Sequence, residues 1–159
     1  MISTAVARRN KIVTQKSGGP TQFYSPFARS LVENDSVRVI VVDDFCDEAD
    51  TLAELLSLDG HKVCAAYDGN EALAKIPTFA PHCILFDIDM PGLDGFQMAK
   101  QIREHYGDDI VLVAFTARPL DDPRVPAAFS VADHYLMKPI DPAKLRKLLP
   151  PHGSPPVTT

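Results

Sequence analysis

The chain has 159 residues, 45% of them hydrophobic and 23% charged, with a formal net charge of -5. That length suits one ordinary domain with tails, and the hydrophobic share supports a packed core rather than wholesale disorder. No apolar run approaches the roughly 18 residues of a membrane span, and the acidic balance argues against a general nucleic-acid binder.

Residues 1–36 carry five basic and two acidic residues, or +3; the remainder, with 11 basic and 19 acidic, stands at -8. This shift predicts a boundary near Ser36. Arg and Ser without early acids also suit a transit peptide, but the expectation is a basic, disordered N-terminal extension. The apolar run from Val37 to Val42 reads as a first strand covered on both faces. Residues 46–58 place Ala49, Leu52, Ala53, Leu55 and Leu56 on one helical stripe, with Gly60 as a stop. Residues 62–66 form a short second strand. Asp68-Gly69 turns the chain into a brief helix over 70–76, ended by Pro77. A third strand covers 82–86. Asp94 opens a helix with Phe96, Ala99, Ile102 and Arg103 at helical spacing, stopping at Gly107. A fourth strand runs over 110–115.

The next stretch contains Pro119, Pro123 and Pro126, and proline inside a helix costs about 3 kcal/mol. A helix here can start no earlier than about Pro123 and has two or three turns at most before a fifth strand over 134–137. Asp141 caps a last helix, with Pro142 in its first turn and Leu145, Leu148 and Leu149 facing inward. Residues 150–159, rich in proline, read as a disordered tail. Strands of about five residues alternating with helices predict βαβ units. The fold class is α/β: a flavodoxin-like, doubly wound, five-stranded parallel sheet, (βα)5, in a three-layer α/β/α sandwich over 37–149.

Cys46, Cys64 and Cys83 are odd in number and match no ligand spacing, so they are expected as reduced, mostly buried thiols of a cytoplasmic protein. The acidic residues are 16 Asp against 5 Glu. Asp favours caps, turns and ligand sites. In a doubly wound sheet, ligands sit beyond the carboxyl ends of the strands. Those ends carry Asp43 and Asp44, Asp87, Thr116, and Lys138 before Pro139. One such residue is unremarkable, since strands often end in Asp or Thr before a turn. Five on one sheet edge are not.

Three carboxylates crowded together repel unless a hard cation joins them, and Mg²⁺ takes carboxylates, waters and phosphate oxygens. One carboxylate must stay available to attack phosphorus. Asp87 stands alone after its strand and is the candidate nucleophile. Lys138 supplies a point charge for phosphoryl oxygens, and Thr116 a hydroxyl donor. Met90, Phe96 and Met98 read as packing residues. His61, His82, His105 and His134 read as surface or satisfied histidines, and Lys144, Arg146 and Lys147 as a solvated helix face.

The residues Asp43-Asp44, Asp87-Ile88-Asp89-Met90-Pro91-Gly92-Leu93-Asp94-Gly95, Thr116-Ala117 and Tyr135-Leu136-Met137-Lys138-Pro139 resemble the receiver domain of two-component response regulators. The resemblance spans about 37–149, with the motifs in family order. It implies that Asp87 accepts a phosphoryl group from a phosphohistidine on a histidine kinase or a histidine phosphotransfer protein. It also implies Mg²⁺ held by Asp43, Asp44, Asp87 and the backbone carbonyl of Asp89. Thr116 and Tyr135 would be the switching pair and Lys138 the salt-bridging lysine. Pro139 would follow a cis peptide bond, and Arg118 would flank the phosphoryl group opposite Asp89. Many members pair two receivers through the fourth helix, fifth strand and fifth helix. The proline-broken fourth helix, with Val131 where the family often has glycine, predicts a monomer here.

The expected protein is not a turnover enzyme. It labels itself once, decays slowly, and signals to a downstream protein or passes the group on, with no DNA-binding domain and no membrane segment. Two rival readings are weighed against this. Asp87-Ile88-Asp89 also resembles the nucleophile motif of haloacid-dehalogenase-type phosphatases, but there the paired acids follow the nucleophile in sequence, and 113 residues are few for that fold with its cap. A receiver reduced to a non-phosphorylated interaction module would be expected to lack part of the set, and none is missing.

Overall fold

In the computed structural model, the described residues are 36–119 and 121–150. The expectations for the N-terminal extension and the C-terminal tail lie outside them, apart from Ser36 and Pro150. The elements are β1 (Arg38–Val42), α1 (Cys46–Leu58), β2 (Lys62–Ala66), α2 (Gly69–Phe79), β3 (Cys83–Asp87), α3 (Gly95–Tyr106), β4 (Val111–Thr116), α4 (Arg124–Phe129), β5 (His134–Met137) and α5 (Pro142–Leu148). All strands are parallel, in the order β2-β1-β3-β4-β5.

The alternation of side chains along each strand divides the core in two. Ile40, Val42, Ile84, Phe86, Leu112 and Ala114 pack with Ala72, Ile76, Met98 and Ile102 from α2 and α3. Val39, Val41, Leu85, Val113 and Phe115 pack on the other face with Ala49, Leu56 and Leu145 from α1 and α5. The three-layer sandwich follows directly. β1 and β3 lie inside the sheet and are buried along nearly their whole length, whereas β5 is an edge strand with both ends exposed.

The helix starts follow local chemistry. Asp68, Asp94 and Asp141 each accept an N–H of the first turn, from Glu71, Gln97 and Ala143. Four expectations are corrected. α2 continues through Pro77 to Phe79 and ends at Ala80, which adopts φ +48°. Pro77 removes only one donor near the helix end, and Arg38 Nε donates to the Ala80 carbonyl at 2.6 Å, holding the left-handed cap. Of the three thiols only Cys83 is buried; Cys46 is exposed and Cys64 half-buried. Phe96 is half-buried and lines a cavity with Asp89, Asp94 and Arg118 instead of joining the core, as Met90 and Met98 do. Arg146 is not merely solvated, because it grips Asp59 at the end of α1 through two bonds of 2.7 and 3.0 Å.

His61 and His82 are satisfied, each accepting an N–H at the start of β1 through Nδ1. α4 begins after Pro123, as its prolines require, and spans six residues, fewer than the two turns allowed for it.

Candidate functional site

β1, β3 and β4 are neighbours in register, with Val42 beside Phe86 and Asp87 beside Phe115. Their carboxyl ends therefore deliver Asp43, Asp44, Asp87 and Thr116 to one edge. Asp43, Asp87 and Thr116 are 1%, 5% and 0% exposed, the buried polar residues among those described. One oxygen from each of Asp43, Asp44 and Asp87 falls within 4.8 Å of the others.

Lys138 faces this cluster from just past the end of β5, its backbone N–H donating to the Thr116 carbonyl at 2.9 Å. Its ammonium lies 2.9 Å from Asp43 Oδ2, 3.1 Å from Asp87 Oδ2 and 2.6 Å from Glu48 Oε2. The Lys138–Pro139 peptide bond is cis, as the resemblance implied. Burial opposes the charge of Lys138, but its bonds to Glu48, Asp43 and Asp87 outweigh burial and raise its pKa. Asp87 moves the other way for an acid. Burial lifts its carboxyl above the usual range, against the Asp89 N–H at 3.0 Å and the Lys138 ammonium, and the nearby charge of Asp43 adds to the lift.

Asp43 Oδ1 accepts the Phe45 N–H at 2.9 Å. Asp44 Oδ1 is buried and has no hydrogen-bond partner among the described residues. Leaving a carboxylate oxygen desolvated and unpaired is costly. A hard divalent cation would satisfy it and offset three acids at once, so the donor set fits Mg²⁺.

Thr116 does not face Asp87. Its hydroxyl donates to Asp89 Oδ2 at 3.2 Å and accepts the Arg118 N–H at 3.1 Å. Arg118 Nε pairs with the same Asp89 oxygen at 2.5 Å, and its Nη1 with Asp122 at 2.9 Å. Arg118 and Asp89 are thus joined in an ion pair. Tyr135 is half-buried on the α2/α3 side of the core, where burial and then the charge of Asp89 raise its hydroxyl above the ordinary value. α3 abuts the backbone of Asp87: a Cβ at Gly95 would lie 2.2 Å from the Asp87 carbonyl oxygen.

Sequence reasoning missed Glu48 and Asp122. Both carry ordinary helix-face or turn signals, and only the fold places them against Lys138 and Arg118. A helix-geometry argument on the first turn of α1, immediately after Asp44, was the signal available for Glu48.

The family model described as the response regulator receiver domain matches residues 39–150. The chain is 40% identical over 104 residues to response regulator MprA of Mycobacterium bovis strain BCG, covering 65% of this chain and 45% of that protein. Response regulator MprA of Mycobacterium avium is 39% identical over 103 residues, with 65% and 45% covered. The chain spans about half the length of these curated relatives. Among solved structures, the Vibrio cholerae chemotaxis protein CheY4 aligns with a TM-score of 0.65 at 29% identity, over 72% of this chain and 96% of that one. The receiver domain of Francisella response regulator 1452 aligns with a TM-score of 0.62 at 28% identity, over 71% and 93%. The family match takes in every residue of the strand-end cluster, and the sheet order and the solved relatives agree with it: this chain belongs to the response regulator receiver domain family.

Proposed function

We propose that this chain accepts a phosphoryl group on Asp87 and signals through protein contact or passes the group onward. The observation that carries the reading is the convergence of Asp43, Asp44 and Asp87 on one point beside Lys138, with Asp44 Oδ1 left unpaired. The donor is a phosphohistidine on a histidine kinase or histidine phosphotransfer protein. A carboxylate oxygen of Asp87 attacks phosphorus, the P–N bond breaks, and its electron pair leaves with the imidazole. Asp43, Asp44, Asp87 and the Asp89 carbonyl would hold Mg²⁺, which supplies charge neutralisation at the phosphoryl oxygens when bound.

Lys138 keeps its ammonium beside Asp87 and donates to the incoming phosphoryl oxygens. The Thr116 hydroxyl turns from Asp89 to the phosphoryl group, and Tyr135 repacks in response. Each chain labels itself once and returns by hydrolysis, so it does not act as a turnover phosphatase. The compartment this chemistry suits is the cytoplasm, and no described helix is long and apolar enough to cross a membrane.

The test is incubation with phosphoramidate and Mg²⁺, followed by intact-mass measurement. One added phosphoryl group per chain is expected, lost in Asp87→Asn and with a chelator, while Asp44→Asn chiefly raises the Mg²⁺ concentration required. Undiminished labelling of Asp87→Asn would overturn the assignment.

A further inference from the structure

Lys138 has three N–H groups, and three carboxylates lie around it at 2.6 to 3.1 Å. A phosphoryl oxygen on Asp87 needs one of those donors, so one carboxylate must let go. The three are not equal. The side chains of Asp43 and Asp87 are 1% and 7% exposed, and that of Glu48 is 56% exposed. Releasing a buried acid strands it without solvent, whereas water readily replaces the ammonium at Glu48. Asp43 also belongs to the carboxylate cluster, and Asp87 is the reacting group. Glu48 sits in the first turn of α1, two residues past Cys46, which starts the helix, and lines the cavity of about 570 Å³ that Leu52, Phe115, Lys138 and Pro139 share.

We propose that Glu48 is a positioning residue that holds the Lys138 ammonium at the rim in the unphosphorylated state and yields it to the phosphoryl group. The inference rests on phosphorylation at Asp87 as proposed above. Glu48 competes with the phosphoryl oxygens for one donor, so shortening or neutralising it frees that donor. The contact is largely exposed, and its loss should raise the maximal labelling rate by about two- to fivefold.

The experiment measures labelling by phosphoramidate across donor concentrations at saturating Mg²⁺, and separately the affinity for beryllofluoride, which mimics the phosphoryl group without transfer. Glu48→Gln removes the charge; Glu48→Asp keeps it but withdraws the carboxylate from Lys138. Both variants are expected to label faster at saturating donor and to bind beryllofluoride more tightly by the same factor. Neither effect should survive in a Lys138→Ala background, where the beryllofluoride measurement remains readable. Unchanged or slower labelling in both variants overturns the proposal. So does acceleration confined to Glu48→Gln, since bulk charge and not the contact would then be responsible. Wild-type chain that takes up no phosphoryl group overturns the underlying reading instead, which separates the two failures.

Discussion

Asp87 is held in a state that costs stability. Its folded carboxyl is lifted above the unfolded value by burial, so the ionised form destabilises the fold. For an acid raised in this way, stability falls as pH rises from the unfolded value through the folded one. The penalty is complete above that window and absent below it. Asp87→Asn removes it and keeps an oxygen for Lys138. Without divalent cation at neutral pH, the variant should be more stable by about 1 kcal/mol. Urea titrations should show the gap closing as pH falls through the window and narrowing when Mg²⁺ is added. A second residue tests positioning. Gly95→Ala places a Cβ 2.2 Å from the Asp87 carbonyl oxygen, so β3 or α3 must move. Overpacking of this kind costs about 1–3 kcal/mol. Slower labelling alongside a lowered urea midpoint is the expected pair of readouts; native labelling would show that Asp87 tolerates the shift.

The segment from Thr116 to α4 is organised by charge. Arg118 is shared between Asp89 and Asp122, which ties the approach to α4 back to the loop after β3. On the proposed function, the guanidinium would screen the mouth of the site from an attacking water. Arg118→Ala should therefore shorten the phosphoryl half-life at low salt by up to about fivefold, with the difference fading at high salt. An unchanged or longer half-life would remove the screening role. A second clamp lies at the amino end of β4. Arg103 in α3 donates to the carbonyls of Val131, Gly107 and Ile110 and pairs with Asp133, which in turn accepts the Leu112 N–H. Arg103→Ala strands several acceptors at once and should cost about 1–3 kcal/mol. Amide exchange would rise first in Leu112 and in the turn before β5.

The whole chain combines an acidic folded part with an edge face built on a six-residue α4 and an exposed-ended β5. Such a face has little area to offer. A symmetric pair burying under about 1,200 Å² is not held firmly. The expectation is a monomer by light scattering at tens of micromolar, with and without beryllofluoride and Mg²⁺. A phosphorylation-induced dimer through α4, β5 and α5 would contradict it. A short helix instead suits reshaping around a different protein.

The alternation of apolar residues and the placement of Asp, Gly and Pro are local properties, and they determined the ten elements, the helix starts at Asp94 and Asp141 and the strand-end positions of Asp43, Asp44, Asp87, Thr116 and Lys138. Parallel strands then placed those five at one edge, because a doubly wound sheet leaves its carboxyl ends together. The continuation of α2 past Pro77 was not legible, since the Arg38 guanidinium that holds its cap comes from 42 residues away. The same holds for Glu48, whose partner Lys138 is 90 residues distant, and for the choice of Thr116 to face Asp89 rather than Asp87. Such choices depend on rotamers and on competition among donors and acceptors brought close by packing. Sequence determined the five strand-end groups of the site, and tertiary structure alone added Glu48 and Asp122 and decided which groups hold one another.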